Sequence, residues 1–227
     1  MQSPRASAQF WDQRILDWEA SRYEGRWKIA LGPSEWLAGA LSGPTRLRRQ
    51  RCLELLAPFL NGKKVTEVGC GTGRLAALFL EAGAAAYLGL DHSRVAIEEA
   101  RRRYAGESRI SFEVGSAGEL PKGTQIVVSL GLLDWLGDEE LRAFFSRHDG
   151  ADFLHTFSER RGSPRQLLHR ACRWIDALAR PRAVRPRFMS LEQVTSFLPS
   201  GARAPAVHRE AGLRDAAFIS SLPIKAP

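Results

Sequence analysis

The chain has 227 residues, which is enough for one domain, or for one domain with a small extension. Hydrophobic residues make up 44% and charged residues 26%, and these ordinary values exclude a chain that is disordered throughout. No stretch approaches the roughly 20 apolar residues of a membrane-spanning helix, and the formal net charge of +8 permits an anionic partner.

The cysteines and the first residues indicate the compartment. The three cysteines have neither CxxC nor Cys/His spacing, which predicts reduced thiols and no metal site. The first residues lead into an amphipathic stretch instead of the apolar run of a signal peptide. We therefore expect a cytoplasmic protein, and the abundance of arginine, alanine and leucine is typical of a GC-rich bacterial genome.

Residues 1–60 precede the first predicted strand and follow a helical pattern. Apolar residues between Phe10 and Trp18 lie near helical spacing, and Thr45 is placed to cap the last helix of the segment. Most of the tryptophans of the chain fall in this segment. Two interpretations are open. The aromatic residues bury the extension against the sheet edge, or the extension closes over a ligand crevice and lines an acceptor pocket.

From Lys64 onward the pattern alternates between strands and helices, which predicts a parallel sheet with right-handed crossovers. Strands are predicted at 64–68, 86–90, 110–114, 125–130 and 151–157, and helices at 72–82, 93–104, 137–147 and 164–178. A further short helix is predicted from Ser190, and weaker strands at 205–208 and 216–220.

A glycine turn follows the first strand. Gly69, Gly71 and Gly73 alternate with other residues, so the backbone can turn sharply and approach a ligand without interference from a Cβ. The second strand ends in Asp91, roughly 20 residues beyond the glycines, where an acidic side chain can bind both hydroxyls of a ribose. The glycine that lets a helix approach a pyrophosphate is absent from this spacing. The pattern therefore favours a nucleoside without a diphosphate.

Blocks at the ends of the first four strands resemble, in content and order, the motifs of the class I S-adenosylmethionine-dependent methyltransferases. They are Glu67-x-Gly69-x-Gly71-x-Gly73, Gly89-Leu90-Asp91-His92-Ser93, Phe112-Glu113-Val114-Gly115-Ser116-Ala117-Gly118-Glu119-Leu120-Pro121 and Ile126-Val127-Val128-Ser129-Leu130-Gly131-Leu132-Leu133-Asp134. The resemblance covers about residues 61–160.

The resemblance implies an architecture and a cofactor. The fold would be an α/β Rossmann-like, seven-stranded, mostly parallel sheet with helices on both faces and an antiparallel C-terminal hairpin. Residues 1–60 would form an N-terminal helical lid, and residues 61–227 the domain that binds S-adenosyl-L-methionine and releases S-adenosyl-L-homocysteine.

The resemblance also implies roles for the residues that match its motifs. Glu67 would lie near the methionine ammonium, Asp91 would hold the ribose, and His92 would pack on the adenine. The other predicted cofactor residues lie at the same strand ends: Gly69, Gly71, Gly73, Ser116, Ala117 and Leu130. Family members often carry aspartate at the Ser116 position, and serine is a weaker acceptor for the adenine amino group.

Methyl transfer to a protonated acceptor needs a base, and we consider His155 and Asp134 for that role. His155 lies near the end of the fifth strand and is ranked first, with a buried structural histidine as the alternative. Asp134 follows the fourth strand and could instead cap the next helix. The residues considered for acceptor binding are Trp11, Tyr23, Trp27, Lys28, Arg160 and Arg161.

The chain lacks the Asn/Asp-Pro-Pro-Tyr/Phe run of amide-methylating enzymes and has Ser129-Leu130-Gly131-Leu132 in its place. This departure favours methylation of oxygen or nitrogen on a small biosynthetic acceptor, which could be anionic. RNA or protein as the acceptor, and an inactive scaffold with this fold, stay open as alternatives. The arginine clusters are explained either by solvated helix faces or by an anionic partner, and aromatic residues interleaved with them are too few to favour nucleic acid.

Overall fold

The computed structural model describes residues 4–23, 43–162, 166 and 187–224. The helices are α1 (Pro4–Asp12), α2 (Ile15–Tyr23), α3 (Gly43–Leu56), α4 (Ala76–Glu81), α5 (Arg94–Arg103), α6 (Asp138–Ser146) and α7 (Leu191–Thr195). The strands are β1 (Lys64–Val68), β2 (Ala86–Asp91), β3 (Ile110–Val114), β4 (Ile126–Ser129), β5 (Asp152–Ser158), β6 (Ala206–His208) and β7 (Ala216–Ser220). Within these ranges, no helix is both long and apolar enough to cross a membrane.

The strands form one seven-stranded sheet in the order β3-β2-β1-β4-β5-β7-β6. Strands β1 to β5 are parallel, and β7 is antiparallel to both of its neighbours, β5 and β6. The predicted fold class is therefore confirmed, including the antiparallel C-terminal hairpin. Because β2 and β3 lie on one side of β1 and β4 and β5 lie on the other, the carboxyl ends of β1 and β4 flank the topological switch point of the sheet.

The core is divided between the two faces of the sheet, as the alternation of side chains along a strand requires. In β4, Ile126 and Val128 pack with α3, α4 and α5, whereas Val127 points to the opposite face and packs with α6 and α7. All residues of β1 except Lys64 are buried. Burial on both faces explains why β4 begins with three consecutive apolar residues.

Some predicted boundaries differ from the observed ones. The helix predicted from residue 72 begins at Ala76, because Gly71 and Gly73 have positive φ angles of 54° and 70° and continue the turn. Helix α3 begins at Gly43, so Thr45 lies inside it and does not cap it. The helix predicted at 164–178 lies outside the described residues, except for Gln166.

Phe218 tests the packing of the C-terminal hairpin. Its side chain is fully buried in β7, and a Phe218→Ala substitution should lower the free energy of unfolding by about 3–5 kcal/mol through lost burial and a cavity. The half-exposed Val114 on the outer strand β3 provides the control, and Val114→Ala should change stability by less than about 1 kcal/mol. Urea unfolding monitored by circular dichroism measures both, and equal effects would contradict the described packing.

Candidate functional site

The glycine turn after β1 is held by backbone hydrogen bonds to the neighbouring strand. The amides of Gly69 and Cys70 both donate to the carbonyl oxygen of Leu90, at 2.8 and 3.1 Å. Gly69, Gly71 and Gly73 all have positive φ angles, which side chains with a Cβ rarely adopt. The turn is thus a preformed stretch of backbone at the carboxyl end of β1.

Asp91, at the end of β2, is fixed against this turn. Its Oδ2 accepts a hydrogen bond from the Gly71 amide at 2.9 Å, and its Oδ1 accepts one from the Ser93 amide at 2.9 Å. Burial raises the pKa of Asp91, opposed by these backbone hydrogen bonds. Each carboxylate oxygen keeps acceptor capacity for another donor. The arrangement orients the side chain that sequence analysis assigned to a ribose.

Glu67 is the most strongly perturbed carboxyl group of the site. It is buried, and its Oε2 accepts a hydrogen bond from the Tyr87 hydroxyl at 2.6 Å. Burial raises its pKa to about 8, and the negative charges of Glu19 and Asp91 add to the effect. The Tyr87 hydrogen bond and the positive charge of Arg49 oppose this rise without cancelling it, so Glu67 is largely protonated at neutral pH.

Glu19, from α2, joins the N-terminal segment to the glycine turn. Its Oε1 accepts a hydrogen bond from the Thr72 amide at 2.9 Å, and its Oε2 accepts from the Thr72 hydroxyl and from Arg74 Nε, both at 2.6 Å. A Cβ at Gly71 would lie only 2.3 Å from Glu19 Oε1. Gly71 is thus needed for the close approach of this carboxylate as well as for its φ angle. We call this set of contacts the Glu19 latch.

Helix α1 is joined to the same end of the sheet. Asp12 Oδ1 accepts hydrogen bonds from the Ser93 hydroxyl at 2.7 Å and from the Val95 amide at 3.3 Å, at the beginning of α5. The Trp11 ring packs edge-on against Trp135, with centroids 5.2 Å apart, in the segment that follows β4. The helices of the extension therefore contact the ends of both β2 and β4.

Tyr23 ends α2 and lies among cations. The guanidinium carbons of Arg49 and Arg74 lie 4.7 and 5.2 Å from its ring centroid. Burial raises the pKa of Tyr23, and the positive charge of Arg48 opposes this rise. Trp11 and Tyr23 are thus both placed by the structure at the edge of the sheet where a ligand is expected. Trp27 and Lys28 lie outside the described residues.

The segment after β4 bends over the end of β1. The Gly131 amide donates to the Thr156 hydroxyl at 2.7 Å, and its φ angle is 79°. The side chain of Leu132 lies 3.3 Å from the position that a Cβ at Gly69 would take, and the preceding Leu130 is partly buried. The ends of β1, β4 and β5 are therefore in direct contact here.

Asp134 braces this segment to β5. Its Oδ1 accepts a hydrogen bond from the Ser158 amide at 2.7 Å, and its Oδ2 accepts one from the Ser158 hydroxyl at 2.6 Å. Asp134 is 5% exposed, and burial raises the pKa of its carboxyl group. Because the carboxyl group is buried and bound to Ser158 through both oxygens, the geometry favours a positioning role for Asp134 over use as a base.

His155 lies in a buried chain of hydrogen bonds. Its Nδ1 is 3.0 Å from the Ser129 hydroxyl, and its Nε2 is 2.9 Å from Nε2 of His148. Nδ1 of His148 must donate to the carbonyl of Phe144, at 2.9 Å, because a carbonyl can only accept. A neutral imidazole has one donor and one acceptor nitrogen, so Nε2 of His148 must accept. His155 Nε2 therefore donates to His148, and the Ser129 hydroxyl donates to His155 Nδ1.

Burial lowers the pKa of both histidines, that of His148 to about 4 and that of His155 well below its usual value. His155 is 0% exposed and both of its ring nitrogens are engaged inside the core. The structure therefore favours the alternative of a buried structural histidine over the proposed base, because no nitrogen is left to accept a proton from an acceptor.

The remaining predicted residues lie at the ends of β2 and β3 and after β5. Ser116 is exposed and its amide donates to Glu119 Oε2 at 2.8 Å, whereas Ala117 and His92 are half-buried near the ends of β3 and β2. Arg161 donates to Glu159 at 2.7 Å and to the carbonyl of Arg214 at 3.0 Å, and Arg160 donates to the carbonyl of Phe188 at 3.1 Å. Both arginines thus bind other parts of the chain itself.

Sequence analysis missed Glu19, Asp12 and Arg48 as residues of the site. Glu19 and Asp12 stand between aromatic residues in a helical pattern, and their partners lie 53 and 81 residues away. No local signal marks such contacts, although an acidic residue amid aromatic ones could have been examined as an anchor. No group of three or more potential metal ligands occurs within the described ranges.

Comparison with known proteins finds a partial match to one family model. Residues 65–149 match the family model described as a methyltransferase domain. A curated, uncharacterised protein of Haemophilus influenzae is 47% identical over 47 residues, which are 21% of this chain. That match spans only 18% of the length of the relative.

Solved structures of methyltransferases share the fold over most of the chain. Magnesium protoporphyrin IX methyltransferase from Synechocystis PCC 6803, with bound S-adenosylhomocysteine, has a TM-score of 0.73 and 16% identity and covers 96% of this chain and 98% of its own. Geranyl diphosphate methyltransferase has a TM-score of 0.65 and 14% identity with the same coverages. An S-adenosylmethionine-dependent methyltransferase from Mesorhizobium loti has a TM-score of 0.57 and 19% identity, covering 76% of this chain and 96% of its own.

The Glu19 latch can be tested by removing its charge. In Glu19→Gln the ion pair with Arg74 is lost, and amide hydrogen exchange in α2 should become about tenfold faster, since a hydrogen bond to a charged group contributes about 1.5–3 kcal/mol. Glu107→Gln, which breaks the exposed ion pair with Arg109, serves as the control and should leave α2 unchanged. Unchanged exchange in Glu19→Gln would show that the latch does not hold α2.

The buried histidines predict a loss of stability in acid. The folded pKa of His148 lies below that of the unfolded chain, so the folded state binds fewer protons, and stability is lost as the pH falls from 6.5 towards 4. The shift corresponds to about 3 kcal/mol. In ¹⁵N NMR spectra at pH 6, His148 should carry its proton on Nδ1 and His155 on Nε2. Protonation of both nitrogens of either ring at that pH would contradict the assignment.

Proposed function

We propose that this chain is a class I S-adenosylmethionine-dependent methyltransferase that transfers a methyl group to an oxygen or nitrogen atom of a small biosynthetic acceptor. The matched domain and the fold support this assignment. The observation that carries the proposal is the convergence of the carboxyl groups of Glu19, Glu67 and Asp91 around the glycine turn.

The residues of the turn fit a cationic nucleoside. Like charges destabilise one another, so the site is electrostatically suited to a ligand that brings positive charge. S-adenosylmethionine carries an ammonium and a sulfonium group, and its single nucleoside has no diphosphate. The alternating glycines supply the close backbone approach that such a ligand needs, and Asp91 retains acceptor capacity on both oxygens.

We assign roles to the residues of the site on this basis. Asp91 would bind the ribose hydroxyls, and Glu67 would face the methionine ammonium, which would lower its raised pKa. The backbone at Gly69, Gly71 and Gly73 would carry the methionine part. The adenine would lie among side chains at the ends of β2, β3 and β4, namely His92, Ser116, Ala117 and Leu130.

The bound cofactor supplies a methyl group already activated on sulfur, so the chain has chiefly to align the acceptor with it. We do not assign a base to Asp134 or His155, because their polar atoms are engaged by Ser158 and by Ser129 and His148. An acceptor atom that is already ionised at neutral pH requires no base. The protein's contribution is therefore positioning and the exclusion of water.

We propose that residues 1–60 act as a lid on a methyltransferase domain of residues 61–227. The contacts of Glu19 with Thr72 and of Asp12 with Ser93 support this role, since they join the extension to the site. Trp11, Tyr23, Trp27 and Lys28 are proposed to face the acceptor. We place the reaction in the cytoplasm of a bacterium, because the described Cys52 and Cys70 are free thiols, as is usual in reducing compartments.

The small acceptor is supported by the relatives that share the fold over almost the whole chain. Two of them are named as methyltransferases of magnesium protoporphyrin IX and of geranyl diphosphate, both small molecules. An RNA acceptor is the second candidate, favoured only by the net charge of +8. Binding to mixed RNA that weakens steeply with salt would support it.

Asp91→Asn tests the proposed cofactor site. Calorimetry with S-adenosylhomocysteine should show binding to the unaltered chain and at least about tenfold weaker binding to the variant, because the hydrogen bonds to ribose lose their charge. Asparagine keeps one acceptor oxygen for the two backbone amides that Asp91 binds, and thermal unfolding verifies that the variant is folded. The exposed Glu98→Gln on α5 is the control and should bind normally. No binding to the unaltered chain, or equal binding to both, would refute the proposal.

A further inference from the structure

Arg48, on α3, extends towards the end of β4. Its Nη1 lies 3.2 Å from the position that a Cβ at Gly131 would take, and its Cζ and Nη2 lie 3.7 Å from it. Among the residues that the structure describes, Arg48 has no hydrogen-bond acceptor and no ion-pair partner. A guanidinium carries several N–H donors and stays charged. The half-buried Arg48 side chain therefore has donors that no group within the described residues accepts.

The carboxylate that faces Arg48 does not bind these donors. Asp134 interacts with Arg48 at longer range, but both of its oxygens accept hydrogen bonds from Ser158. The neighbouring cations are engaged elsewhere. Arg49 stacks on Tyr23 and donates to the carbonyl of Arg74 at 2.9 Å, and Arg187 acts on Asp134 and pairs with Asp138. Within the described part of the chain, Arg48 thus keeps its donors unused at the end of β4.

The ends of β1 and β4 therefore differ in charge. The glycine turn at the end of β1 is surrounded by Glu19, Glu67 and Asp91, whereas Arg48 faces the backbone after β4. A cationic cofactor is favoured at the first and an anion at the second. Because Gly131 has no side chain, the guanidinium lies close to the backbone after β4.

We propose that Arg48 anchors the methyl acceptor through an anionic group of that acceptor, a carboxylate or a phosphate. The inference rests on the proposed function and specifies the acceptor class. Guanidinium binds both oxyanions through paired N–H donors, which fixes the orientation of the acceptor as well as its affinity. Arg160 and Arg161 are less suited to this role, because their donors bind Phe188, Glu159 and Arg214 of the chain itself.

Pairs of charged and neutral probes test the anchor in the full-length chain saturated with S-adenosylhomocysteine. Benzoate is compared with benzamide, and phenyl phosphate with phenol, by calorimetry or by NMR titration. At least one acid should bind about tenfold more tightly than its neutral partner, as expected for a charge-assisted paired contact. The two pairs distinguish a carboxylate site from a phosphate site.

Variants of α3 assign the preference to Arg48. In Arg48→Met the acid should lose its advantage, whereas Arg48→Lys should retain part of it, because lysine keeps the charge and loses the planar fork. Arg46→Met, at an exposed position of the same helix, is the matched control and should leave the preference intact. Thermal unfolding of each variant verifies that the comparison is made on folded protein.

An acid preference that is absent in the unaltered chain, or that survives in Arg48→Met, would overturn the anchor. The same samples report the affinity for S-adenosylhomocysteine, which separates the two hypotheses. Normal affinity without an acid preference refutes the anchor and leaves the methyltransferase proposal standing. Absent affinity refutes the methyltransferase proposal, and an acid preference that depends on Arg48 would then define an anion site with another purpose.

Discussion

The site depends on one constraint, the left-handed backbone of the glycine turn after β1. Only with positive φ angles at Gly69, Gly71 and Gly73 does the turn direct its amides to side chains from distant elements. The Gly71 amide then binds Asp91, and the Thr72 amide binds Glu19. A sheet strand, the following turn and the N-terminal extension are thus joined at a few backbone groups. Buried amides require a hydrogen-bond acceptor, and here the carboxylates take the place of water in that role.

This arrangement concentrates charge of one sign in a small volume and leaves the opposite sign nearby. Burial raises the pKa values of Glu67 and Asp91, and the neighbouring acidic groups add to the rise. Arg74 compensates Glu19 through its ion pair. On α3, Arg49 stacks on Tyr23 and acts on Glu67, whereas Arg48 faces the segment after β4. Substrate selection in such a cleft would come from charge as much as from shape.

Much of the fold could be predicted from the sequence, because β1 to β5 are short apolar runs bounded by glycine and polar turn residues. The helix after the glycine turn was placed too early, since periodicity does not report the φ angles of Gly71 and Gly73. The position of Asp91 could also be predicted, because the ends of neighbouring parallel strands meet at one edge. The Glu19 latch could not, since no local rule joins residues 53 positions apart. The position of His155 near the end of a strand predicted a base. In the structure, packing against α6 and the hydrogen bond to His148 bury its ring, and sequence does not report these contacts.

The Glu19 latch bears on the rate of catalysis. If residues 1–60 cover the cofactor, each exchange of spent for fresh cofactor requires a nearly buried carboxylate to leave Thr72 and Arg74 and to regain them afterwards. Release of the Glu19 latch, and not the transfer of the methyl group, would then limit the rate of turnover. Its speed would respond to ionic strength, because the contact that must break includes an ion pair.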